Sequence, residues 1–142
     1  MSSKKWIALS IAVVALGSIL NVMMAVEGKR SGWSLLITAA IAAFWIIYIA
    51  FARKQTGAMI WCTVFWGLSA VTAFVGAVLL GTAIKNNLVY AFFAMIISSN
   101  MYGIRYLINT PTASMLLIGF ISIAYSFVSL GFIFKIRRGD YT

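Results

Sequence analysis

The chain has 142 residues, 63% of them apolar and 9% charged, with eleven lysines and arginines set against two carboxylates for a formal charge of +9. A mean hydropathy of +1.03 lies outside the range of an ordinary soluble domain and points to the lipid bilayer as the solvent. The charge does not point to nucleic acid, because the basic residues flank apolar runs and form no patch with interleaved aromatics.

The chain opens with "MSSKKWIALSIAVVALGSIL", a basic start followed by an apolar run, which superficially resembles a signal peptide. The run continues through Val26, too long for a cleaved apolar segment of about 7–15 residues, so residues 6–26 are expected to form a first span. A turn follows at "EGKRSG", where charge and glycine break the pattern. Residues 33–52 make the second span, with Trp33 and Tyr48 placed as interfacial aromatics and Arg53 and Lys54 just beyond. The third is expected over 58–83, closed by Lys85, Asn86 and Asn87. The last, 113–134, follows Pro111 and runs into the basic tail "KIRRGDYT". A helix rises about 1.5 Å per residue, so each of these is long enough for a hydrocarbon core of about 30 Å.

Residues 88–108 are the ambiguous stretch. "LVYAFFAMII" covers half a bilayer, and "SSNMYGIRYLI" adds Ser98, Ser99, Asn100, Gly103 and Arg105. Serine hydroxyls can bond the preceding turn, asparagine can bond a neighbouring helix, and Arg105 can snorkel, so a crossing is allowed. The positive-inside rule favours four crossings. Lys4, Lys5, Arg53, Lys54, Lys135, Arg137 and Arg138 then share one side, against Lys29, Arg30, Lys85 and Arg105. Five crossings leave no such bias, yet a loop at membrane depth needs protein or water to satisfy its backbone, and a chain this small offers little. The expected fold class is therefore all-α, a polytopic transmembrane helical bundle in a single domain over 1–142. Five spans are favoured, and four spans plus a re-entrant segment at 88–108 is the alternative.

Chemistry is sparse. There is no histidine, one cysteine and two carboxylates far apart in sequence, which argues against a metal site, a carboxylate pair or any resident cofactor. Lys85, the one lysine near enough to activate a serine, reads as an interfacial anchor. Glu27 reads as a solvated turn residue, so proton or sodium coupling through an intramembrane acid is not expected. Cys62 reads as a small buried hydrophobe, and a lone thiol cannot close a disulfide within the chain.

Small residues recur at helical spacing instead. Ser69, Ala73, Ala77 and Gly81 form one stripe, and Gly17 and Asn21 a shorter one, both candidates for helix packing or contact with another subunit. Asn100 with Ser122, Ser126 and Ser129 could line an uncharged polar path, since amides are costly in hydrocarbon unless bonded. Lys4, Lys5, Arg53, Lys54, Lys135, Arg137 and Arg138 are candidate anchors to anionic headgroups. No enzyme is expected. The favoured reading is a non-catalytic membrane subunit or accessory protein acting through helix–helix contacts. Its expected partners are the anionic bilayer and a second copy or another membrane protein, in a plasma or bacterial inner membrane. An oligomeric channel, holin-like pore or carrier is the alternative.

Overall fold

A computed structural model describes residues 1–27, 31–79 and 99–139, the side chains of 22–27, 79 and 99 excepted. Regular structure among the described residues is entirely helical. Helix α1 spans Ser3–Glu27, α2 Gly32–Ala52 and α3 Thr56–Leu79. A 3-10 turn at Ser99–Met101 then leads into a single-turn helix, α4, at Ile104–Leu107. The longest helix, α5, runs over Pro111–Arg138. Helices α1, α2, α3 and α5 are each long and apolar enough to cross a membrane. The protein is a helical membrane bundle.

Local chemistry sets the ends of these helices. Ser31 sits in extended conformation before α2 and its hydroxyl accepts from the Trp33 N–H at 3.2 Å, satisfying one of the donors a helix start leaves over. Pro111 opens α5 where its missing N–H costs nothing. Gly139 closes α5 at φ +78°, its N–H reaching the Ile136 carbonyl at 3.2 Å, and Lys135, Arg137 and Arg138 face the negative end of that helix dipole. Only Arg53, Lys54 and Gln55 separate α2 from α3, and the Gln55 N–H bonds back to the Ala52 carbonyl at 2.8 Å.

The helix directions follow from named contacts. Trp6 meets Tyr48 edge-on at 5.2 Å, and Gly17 packs against Ile41, so α1 and α2 are antiparallel. The Tyr48 hydroxyl donates to the Ala58 carbonyl at 3.2 Å, and the Trp45 ring stacks on Phe65 at 5.1 Å, so α2 and α3 are antiparallel too. Along α3 and α5 the partners run in opposite order: Cys62 with Ser129, Trp66 with Tyr125, Phe74 with Phe120. The starts of α1 and α3 and the ends of α2 and α5 therefore share one end of the bundle.

Among the described residues four helices are long and apolar enough to cross, and the direction of α5 bears on the five-span expectation. In a five-crossing chain α5 would run parallel to α3, because one further crossing would separate them; the contacts make them antiparallel. Residues 88–98 lie outside the described residues. The remainder of 88–108 is not one continuous helix: the 3-10 turn, Gly103, the single turn of α4 and an extended Ile108 (φ −119°, ψ 116°) follow one another. Sequence hydropathy weighs side chains and does not register that a neighbouring hydroxyl accepts and donates the backbone bonds of the break at 99–103.

An aromatic cluster ties α1, α2, α3 and α5 together. Trp45 and Trp66 are 0% and 2% exposed, and Trp66 stacks on Tyr125 at 4.6 Å. In lipid such rings gain little from leaving their solvent, so close packing and ring geometry hold them.

Candidate functional site

The polar groups of 99–105 dock onto one end of the α1/α2 hairpin. Thr38 is the centre of that dock. Its hydroxyl donates to the Asn100 carbonyl at 3.0 Å and accepts from the Gly103 N–H at 3.0 Å. A tight turn ordinarily closes with a direct bond from the first carbonyl to the fourth N–H; here a side-chain hydroxyl from another helix is inserted between them. Both backbone groups are thereby satisfied six residues into α2, about 9 Å from its start.

Two glycines allow the approach. A Cβ on Gly103 would stand 2.1 Å from the Ser34 carbonyl oxygen and 2.6 Å from the Leu35 Cα, both backbone atoms. One on Gly17 would stand 2.3 Å from Ile41 Cδ1 and 2.5 Å from Asn100 Oδ1. The amide of Asn100 donates from Nδ2 to the Ser18 hydroxyl at 3.0 Å and is 2% exposed. Asn21, one turn further along α1, is fully buried, and neither amide atom has a hydrogen-bond partner among the described residues.

The other sequence candidates fall elsewhere. Ser69, Ala73 and Ala77 are buried, and Ser69 bonds the Phe65 carbonyl of its own helix at 2.9 Å; Gly81 lies outside the described residues. Ser122, Ser126 and Ser129 belong to the α3/α5 pairing. Ser122 bonds its own Ile118 carbonyl at 2.8 Å, Ser126 crosses to the Thr63 carbonyl at 3.2 Å, and Ser129 donates to the Tyr125 carbonyl at 2.7 Å with its oxygen 3.0 Å from Cys62 Sγ. Gly119 lets α5 close on the Phe74 ring, 2.8 Å from where a Cβ would be. Asn100, on the α1/α2 hairpin, is not brought to this serine face.

Lys4, Lys5, Arg53, Lys54, Lys135, Arg137 and Arg138 are all exposed and gather at the end where α1 begins and α5 finishes. That end is also tied by the Gln55 amide donating to the Met1 carbonyl. Cys62 is buried and free, and no cluster of metal-ligating side chains occurs among the described residues. Lys85 is outside them.

Sequence reasoning missed Thr38 and Gly103. Gly103 carried a signal, since a glycine after adjacent polar residues marks a break. Thr38 carried none: one hydroxyl within "LLITAAIAA" is indistinguishable from many that bond their own helix. Comparison of the chain with protein families, curated proteins and solved structures found no match.

Proposed function

We propose that this chain is a non-catalytic integral membrane protein that acts through helix–helix contacts, as a subunit or accessory protein of an oligomer or larger membrane complex. The observation that carries the reading is the sorting of side chains. The hydroxyls of Ser10, Thr38, Ser69, Ser122, Ser126 and Ser129 on the long helices are spent on bonds within the chain, Ser34 being an exception, while alanines stand exposed at membrane depth in rows. Ala8, Ala12 and Ala15 line the outside of α1, and Ala39, Ala40 and Ala43 that of α2. Small outward residues allow another backbone to come close where lipid supplies no hydrophobic drive. These rows differ from the stripes that stood out in sequence, which face inward. The pore alternative draws less support, since the hydroxyls proposed to line it bond their own helix, as Ser122 does, or reach across to α3, as Ser126 does.

Part of the same proposal is the topology: four crossings, with 99–107 packed into the bundle from one side, and the seven-cation end on the cytoplasmic face. The deciding test is the state of the purified chain in mild detergent, by light scattering coupled to size exclusion. A protein mass above one chain, or a stoichiometric partner retained from native membranes, is expected, and Ala12→Ile with Ala43→Ile should reduce it. A monodisperse monomer that co-purifies with nothing would overturn the reading.

A further inference from the structure

Between the outer sides of α2 and α5 runs a groove of about 380 Å³, lined by Ile46 and Ile49 of α2 and by Ile121, Ala124, Tyr125 and Val128 of α5. Its walls are apolar, and the one hydroxyl among them is committed, since Tyr125 donates to the Ala42 carbonyl at 3.0 Å. Ile46 and Val128 are 62% and 50% exposed, so the groove opens outward. From Ile121 to Val128 the helix rises about 10 Å. Another helix, about 10 Å across, would displace roughly 800 Å³ over that length, about twice what the groove holds. An acyl chain is narrow enough to enter it.

Depth and charge determine what stands above. The Tyr125–Ala42 bond marks one level common to both helices, and from it α2 and α5 run in the same direction, toward the basic end. Arg53 comes eleven residues after Ala42 and Lys135 ten residues after Tyr125. At about 1.5 Å per residue both cations stand about 15 Å further on, half of a hydrocarbon core of about 30 Å. They also stand over the groove. Arg53 follows Ile46 by seven residues, and Lys135 follows Val128 by seven, a spacing that returns a helix to nearly the same face. Arg53 keeps helical backbone angles, φ −53° and ψ −25°. Gly131, between Val128 and Lys135, has nothing within 4 Å of an added Cβ, so the way from groove to cation is open. Both cations are exposed, two of seven at this end. The whole chain has two carboxylates, and Glu27 closes α1 at the far end, so most of the seven are left for anions from outside.

We propose that the α2/α5 groove holds one acyl chain of an anionic phospholipid, with the headgroup phosphate between Arg53 and Lys135. An apolar slot capped by two cations follows the order of parts in such a lipid, chain in the hydrocarbon and phosphate at its edge. A second groove, between α3 and α5 at Gly67, Phe74 and Phe127, is also apolar at about 430 Å³, but α3 carries no cation and brackets no phosphate. The inference rests on the membrane reading but not on the oligomer reading.

The test uses the full chain in mild detergent, with native mass spectrometry during titration by phosphatidylglycerol and, in a separate arm, by phosphatidylcholine with the same acyl chains. Wild type is expected to retain one phosphatidylglycerol per chain in preference to phosphatidylcholine. Arg53→Gln with Lys135→Gln should bind phosphatidylglycerol about thirtyfold more weakly. Lys4→Gln with Lys5→Gln removes the same charge from the same end, but from α1, which lines no part of the groove; it should cost less than about threefold. Ala124→Phe fills the groove without touching a cation and should lower retention of either lipid. The cation variants lie at exposed helix ends, so their comparison does not depend on the groove variant folding. Equal losses from the two double variants would reduce the effect to diffuse charge and overturn the site. Undiminished phosphatidylglycerol retention by a folded Ala124→Phe would overturn the groove; if that variant also lowered the protein mass of an assembly, the occupant would be a second copy. Failure of the membrane reading shows separately, as protein released from vesicles by alkaline carbonate.

Discussion

Thr38 is the residue on which the break at 99–103 turns, because its one hydroxyl bonds both the Asn100 carbonyl and the Gly103 N–H. Thr38→Val keeps the shape and removes only the oxygen. It removes the bond to the Asn100 carbonyl and the bond from the Gly103 N–H in a buried setting, so a loss of about 1–3 kcal/mol is expected. Glycines give a graded comparison at the same scale. Gly103→Ala sets a methyl against backbone that cannot move aside and should cost about 3 kcal/mol or more. Gly17→Ala meets the tips of Ile41 and Asn100, which can rotate, and should cost less. Gly131, inside α5 with nothing within 4 Å of its added Cβ, should gain about 0.5–1 kcal/mol as alanine. Thermal midpoints by circular dichroism in one detergent would rank these variants, and a Gly103→Ala milder than Gly17→Ala would contradict the close backbone contact.

At the scale of elements, α3 and α5 form the tightest pairing, built from small residues and hydroxyls with the aromatic stack of Trp66 and Tyr125 across it. The serines there should not be equivalent. Ser122 bonds within its own helix, so Ser122→Ala should change stability little, whereas Ser126 bonds the Thr63 carbonyl across the interface. Ser126→Ala should cost about 0.6–1 kcal/mol, the usual range for an interhelical bond in a membrane. Unfolding in mixed micelles would separate the two, and equal effects would mean that the crossing bond contributes nothing. The four long helices were legible in the sequence because lipid imposes length and hydropathy on them. The expected 33–52 and 113–134 lie within α2 and α5 as formed. Which way each face turns was not legible. A helix apolar all round has no amphipathic stripe to orient it, so the inward rows at Ser69, Ala73 and Ala77 and the outward row at Ala8, Ala12 and Ala15 look alike in sequence. The serines of α5 invited a polar-path reading for the same reason: a hydroxyl that bonds its own backbone and one that lines a channel are the same letter.

For the molecule as a whole, charge and helix direction are two separate lines of reasoning that meet. The positive-inside count, taken over four crossings, groups seven cations on one side from residue order alone. The antiparallel run of α3 and α5 brings the same seven residues to one end through contacts, such as Ser129 with Cys62, that involve no charge. A chain with its basic residues gathered in this way has a strong preference for one orientation, at about 1 kcal/mol per residue near an anionic leaflet. The expected result is that cysteines introduced at Ser3 and Thr142 in a Cys62→Ala background label from the same side of sealed inverted vesicles, and that neither labels in right-side-out cells with an impermeant maleimide. Cys62 is buried beneath α5, so the background substitution removes a thiol that would report nothing about sidedness. Replacing Lys135, Arg137 and Arg138 by alanine should then lower the fraction of molecules in that orientation while leaving the helical content unchanged, because these three side chains extend beyond the packed part of α5. Labelling of the two introduced cysteines from opposite sides would require α5 to run the other way. The Trp66–Tyr125 and Phe74–Phe120 contacts would then have no place in the membrane-embedded protein.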